Sequence, residues 1–168
     1  FIILIFIIDT LFLNKILNIK KLFFFSLFCT SFVSFDVVLQ YATGSDIFGY
    51  KNFEMWNSGP FGNEYIAGGY LQKFSFISFF YLFLSCSKKK FYIPLSIFFI
   101  TVHLIAILLA GNRMPMILTL FGCGLLILFI KNIRFIMVLS LISFLSIFFI
   151  IADNDSKIKK AYVSFFNE

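Results

Sequence analysis

The apolar positions of this chain come in long runs, not scattered. Stretches of about 17 or more residues with few or no charges follow one another between short polar segments, and runs of that length cross a hydrocarbon core of about 30 Å as helices. A helix satisfies its own backbone hydrogen bonds, as lipid requires. The pattern predicts five full spans, at about Leu22–Leu39, Ile66–Cys86, Phe91–Ala110, Met114–Ile130 and Phe135–Ala152, preceded by the shorter run Phe1–Leu13. The expected fold class is therefore all-α: a polytopic transmembrane helix bundle, five full spans plus a truncated first span, forming one integral membrane domain over 1–168.

Composition agrees. Hydrophobic residues make up 61% of the chain and 28 of its 168 residues are Phe, against about 45–50% apolar usage in soluble domains. Mean hydropathy is +0.99. The lipid bilayer is thus the first partner expected. The first run is too short for a full crossing, the chain opens on Phe1, and it closes in the polar stretch ending Asn167-Glu168. These features read as a piece of a longer polytopic protein. A signal peptide would carry its positive charges before the apolar run, whereas Lys15 follows it.

Charge sets the expected orientation. Lys15, Lys20 and Lys21, then Lys88, Lys89 and Lys90, then Lys131 and Arg134 fall in short segments without acids, which the positive-inside rule assigns to the cytoplasm. The intervening segments then lie outside. They hold Asp36, Asp46, Glu54 and Glu64 around an outer loop at about 40–65, then Arg113, then Asp153 and Asp155 at the start of a large outer loop, 153–168. The formal net charge of +6 is accounted for by topology. No nucleic-acid partner is expected, because no basic stripe alternates with exposed aromatics on a soluble element.

Several single residues carry candidate chemistry. Cys29, Cys86 and Cys123 sit within or at the ends of apolar runs without metal or redox spacing, and read as fillers. His103 lies in mid-span, where an ionisable group is a functional candidate, although a neutral imidazole bonded to a neighbouring helix explains it as well. It is ten residues from Arg113, about 15 Å of helix rise, so the two do not readily grip one small group. Asp9, shortly before Lys15, is explained by pairing or snorkelling near the cytoplasmic face. Paired carboxylates at metal spacing are absent, so neither a metal nor a cofactor is expected.

The segment from Asp36 to Lys73 holds six of the nine glycines and the only tryptophan. Ser58-Gly59-Pro60 and Phe61-Gly62-Asn63 are turn signals, and Gly68-Gly69 at a span entrance permits a close helix approach or a break. Trp56, Tyr50, Tyr65 and Tyr70 suit an aromatic belt at the membrane interface or a sugar-binding lip.

Between the third and fourth full spans lies Ala110-Gly111-Asn112-Arg113-Met114-Pro115. A lone arginine where a span meets its loop is costly without an anionic partner. Gly111-Asn112-Arg113-Met114-Pro115 opening an apolar span resembles the small-polar-Arg motif of the O-antigen ligase and O-antigen polymerase family. The stretch Asn57 to Phe74 resembles the external segment before a span in some bacterial members, and the likeness runs from about Ser34 to the C-terminus. The resemblance implies a multi-pass protein of the bacterial inner membrane. It would transfer glycan from an undecaprenyl diphosphate-linked oligosaccharide to a saccharide or lipid A-core acceptor on the periplasmic side, without a metal. The histidine-bearing catalytic loop of the ligases is not in this chain.

The residues suit such chemistry. A guanidinium holds two oxygens of a diphosphate as negative charge develops on it, so Arg113 is the catalytic candidate, with Asn112 as a hydrogen-bond donor to substrate. Glu64 orients or deprotonates the acceptor hydroxyl, or else is an interface acid pairing with Lys73 or a helix N-terminus. Lys73 and Trp56 complete the expected substrate-binding set. The alternative is part of a lipid-linked oligosaccharide flippase or other polytopic transporter, in which Arg113 and His103 line a path. A third reading is a structural or assembly subunit.

Overall fold

The computed structural model describes residues 18–52, 56–86 and 92–155, with Ile158, Lys159 and Tyr162 beyond them. Long apolar runs with internally bonded backbones form five helices there: α1 (Ile19–Thr43), α2 (Ala67–Cys86), α3 (Tyr92–Leu109), α4 (Arg113–Phe129) and α5 (Arg134–Asn154). One-turn 3-10 segments occupy Gly59–Phe61 and Lys131–Ile133. The fold is all-helical among the described residues, with no strand. Phe1–Leu13, Asp9, Glu54 and the Lys88–Lys90 cluster lie outside the described residues.

The expectation of five full spans is met in part. Three segments, Lys20–Thr43, Tyr92–Leu109 and Lys131–Asn154, are long and apolar enough to cross a membrane, and α4 is a shorter apolar helix. α2 opens on Gly68, Gly69, Gln72 and Lys73, so its continuous apolar stretch starts only at Phe74.

The helix ends are chemically marked. Asn18 caps α1, its side-chain oxygen accepting from the Lys20 and Lys21 N–H groups. Gly44, at φ 84°, closes the other end with an N–H to the Gln40 carbonyl. Arg134 reaches back from α5 to the end of α4, donating from Nε to the Ile127 carbonyl at 2.9 Å and from Nη2 to that of Leu128 at 3.3 Å. A cation there satisfies open carbonyls and complements the helix dipole.

α3 is the central helix and packs on all four others. Ile100, Leu104, Ala106, Ile107 and Leu108 are its wholly buried apolar residues. α1 and α2 run antiparallel, since Phe24 meets Tyr81 and Ser26 meets both Phe74 and Ser78. Phe25, Phe28 and Phe35 on α1, and Phe121, Leu128 and Phe129 on α4, stand exposed, an apolar surface compatible with a lipid bilayer. Successive helices alternate in direction, so the ends of α1, α3 and α5 gather with the starts of α2 and α4. Tyr41 donates to Asp155 Oδ2 at 3.0 Å, and Tyr162 donates to the Leu108 carbonyl at 3.1 Å across this end.

Asp36, expected in an outer segment, lies instead within α1 and is wholly buried. Its Oδ1 accepts the Ile47 N–H at 2.8 Å, because the chain after Gly44 folds back along the helix.

Candidate functional site

At the gathered end a cleft of about 420 Å³ opens between the starts of α2 and α4. Tyr65, Tyr70 and Phe74 supply its aromatic wall, Lys73 its cation, Gly69 part of its lining, and Asn112 and Pro115 its α4 side. Two residues of the expected set, Lys73 and Asn112, thus meet in one place although they are far apart in sequence.

Asn112 is held by the fold. Its Nδ2 donates to the Tyr65 carbonyl at 3.0 Å, so the donor expected to face substrate ties the α3–α4 turn to the start of α2. Gly68 permits this approach, because a Cβ there would stand 3.2 Å from both Asn112 Cβ and Nδ2. Asn112 is also the N-cap of α4, yet its side chain makes no capping hydrogen bond. The first turn of α4 lies at the positive end of the helix dipole, and Pro115 in it carries no N–H.

Arg113 is the first residue of α4, exposed, and flanked in sequence by two residues of the cleft lining, Asn112 and Pro115. The Tyr162 phenol lies within its electrostatic reach. Burial pushes that phenol up to about 12, while the Arg113 guanidinium pulls it the other way. An arginine at a helix start repels the dipole, a local cost of about 0.3–1 kcal/mol.

Glu64 and Trp56 lie outside the cleft lining. Glu64 is exposed in the turn before α2, its N–H donating to the Phe61 carbonyl at 3.2 Å. Trp56 is half-buried against Tyr65, their ring centroids 5.8 Å apart, so it backs the aromatic wall.

His103 belongs to a different part of the molecule. It is wholly buried on α3, with Nδ1 2.7 Å from the Phe99 carbonyl and Nε2 2.9 Å from Thr30 Oγ1 on α1. Thr30 Oγ1 lies 2.8 Å from Ser78 Oγ on α2, so one polar chain joins three helices. A carbonyl only accepts, which places a proton on Nδ1, and the single Thr30 hydroxyl proton is shared between Nε2 and the Ser26 carbonyl 2.9 Å away. Composition alone missed Thr30 and Ser78, since a hydroxyl inside an apolar run carries no distinguishing pattern. Among the described residues no three His, Cys, Asp or Glu side chains gather where a metal ion could be held. Cys29 and Cys123 are free thiols.

Neither a family model, nor a curated protein, nor a solved structure matches this chain.

Proposed function

We propose that the chain is part of a membrane glycosyltransferase of the O-antigen ligase or polymerase type. All five helices cross the bacterial inner membrane, and the cleft end faces the periplasm. The observation that supports this reading is that Lys73 lines one aromatic-walled cleft with Asn112 and Pro115 at the start of α4, the helix whose first residue is Arg113, although Arg113 itself is outside the lining. Two side-chain cations and a helix N-terminus suit a diphosphate, and the Tyr65 and Tyr70 rings suit a sugar.

In this mechanism the undecaprenyl diphosphate-linked oligosaccharide places its diphosphate at Arg113 and Lys73. As the glycosidic bond breaks, both cations stabilise the charge that develops on the leaving group. Glu64, one residue from Tyr65, takes the proton of the acceptor hydroxyl, with its side chain turning from the exposed position it occupies here. Catalytic groups beyond these residues complete the site. The transporter alternative uses Arg113 together with His103, but His103 is wholly buried on α3 and bonded to the Phe99 carbonyl and Thr30.

The test is reconstitution of the parent protein with lipid-linked oligosaccharide and a saccharide acceptor, followed by separation of extended product from donor. Formation of glycan-extended acceptor that is lost on Lys73→Met and Arg113→Gln supports the reading. Movement of the intact donor across the bilayer without bond transfer, sensitive to the same substitutions, assigns a flippase instead.

A further inference from the structure

The loop that follows α1 returns to the depth of the helix it has just left. Ile47 donates its N–H to Asp36 Oδ1 at 2.8 Å, and Asp36 precedes Thr43 by seven residues, about 10 Å of rise. Gly59 donates to Gln40 Oε1 at 2.8 Å. It also lies on the helix backbone itself, since a Cβ there would stand 3.6 Å from the Val37 nitrogen and 3.7 Å from the Val33 oxygen. The 25 residues of α1 make a helix of about 37 Å against a hydrocarbon core of about 30 Å. A centred α1 overhangs by only about 3–4 Å at each end, so Asp36 and the backbone bonded to it sit below the lipid boundary.

Non-helical backbone survives at such depth only where its polar groups are satisfied. This loop meets that demand in part with buried side chains and its own turn, while Asp36 Oδ2 and Asp46 Oδ2 stay buried without a hydrogen-bond partner. Asp46 Oδ1 accepts the Tyr50 N–H at 2.6 Å, the Asp46 N–H goes to the Tyr50 carbonyl at 2.9 Å, and the Gly49 N–H goes to the Asp46 carbonyl at 3.1 Å. Gln40 Nε2 donates to the same Tyr50 carbonyl at 3.2 Å. Asp36, Gln40 and Asp46 are all buried. Their role follows from the geometry: they replace the water that an ordinary outer loop would use. At the tip, by contrast, Ile47 and Phe48 are 49% and 62% exposed. Two large apolar side chains are held outward, at membrane depth, by a frame whose Asp36, Gln40 and Asp46 side chains are buried, with exposed Tyr50 and Lys51 following the tip.

We propose that the segment after α1 is a re-entrant lip whose tip, Ile47 and Phe48, rests in the acyl-chain region of the adjoining lipid leaflet. The occupant of this apolar surface is lipid, in continuity with the exposed phenylalanines of α1. The lip fixes the height of the loop that leads to Trp56 and Tyr65, and so sets the level at which the cleft opens.

The test uses the chain in lipid vesicles. Trp56→Phe removes the only tryptophan, and Phe48→Trp or, separately, Ile47→Trp adds a reporter at the exposed tip, where a larger ring has room. Both reporters are expected to lose most of their emission in bilayers whose lipids are brominated on the upper acyl chain, and little of it to aqueous acrylamide. Emission lost to acrylamide but kept in brominated bilayers places the tip in water and overturns the proposal. Emission kept against both quenchers means that protein covers the tip, and overturns it as well.

Discussion

His103 Nε2 and Thr30 Oγ1 lie 2.9 Å apart although 73 residues separate them, and both side chains are wholly buried. This contact ties the central helix to α1, and Ser78 extends it to α2. A buried imidazole in an apolar interior has no water to fall back on, so its bonding is an obligation of the fold.

Thr30→Val keeps the shape of the side chain and removes the hydroxyl, leaving His103 Nε2 unpartnered. Leaving a buried group unpaired costs about 1–3 kcal/mol, and interhelical hydrogen bonds in membranes sit toward the low end, about 0.6–1.7 kcal/mol. We expect a loss of about 1 kcal/mol in denaturant unfolding from detergent, and near-normal stability for Thr30→Ser. Equal losses from both would show that packing, not the hydroxyl, matters at this position.

Gly59 has φ 55°, and a Cβ there would stand 2.8 Å from Val37 Cγ2. Gly59→Ala is expected to cost about 1–3 kcal/mol through backbone strain and overpacking together. Adding Val37→Ala removes the collision but not the strain, so the double variant should recover only part of the loss. Full recovery would mean that the positive φ is unimportant.

Arg113→Lys keeps the charge at the start of α4 and removes the planar fork that grips two oxygens. If Arg113 holds a diphosphate leaving group as proposed, glycan transfer should fall by about 10²–10³ with unchanged expression and folding. A lysine variant as active as the parent makes Arg113 an anchor and removes it from the chemistry.

Tyr162 makes the folded state sensitive to high pH. Burial raises its phenol from the ordinary 10.0 to about 12. The unfolded chain therefore ionises first, and this contribution to stability, complete below pH 10.0, is lost as pH rises to about 12. Tyr162→Phe should flatten that part of the stability profile. An unchanged slope in the variant would assign the loss to other groups.

The basic helix ends and the cleft end lie on opposite sides of the bundle, so their labelling should differ. With native cysteines removed, Asn63→Cys, exposed before α2, should react with an impermeant maleimide in intact cells, and Asn132→Cys, exposed between α4 and α5, should not. The reverse pattern would put the cleft in the cytoplasm and end the periplasmic reading.

The sequence by itself determined where helices lie. The runs Ile66–Cys86 and Met114–Ile130 match α2 and α4 within a residue at each end, because the end of an uncharged run is visible in one dimension. Arg134 was legible as a charge that favours one side of the membrane, but its use as a cap on the Ile127 and Leu128 carbonyls was not. Which face of each helix is buried was equally invisible. Core and lipid are both apolar, so Phe79 inside and Phe28 outside look alike in the chain, and periodicity carries no information about inside and outside. Only the tertiary structure decided the fate of the polar residues. It turned Asp36 inward to serve the backbone of a returning loop, matched His103 to Thr30, and bound Asn112 to the Tyr65 carbonyl 47 residues earlier. The first two pairings satisfy buried groups that lipid cannot, and partners as distant as His103 and Thr30 or Asn112 and Tyr65 are chosen by how the helices pack, not by any local pattern.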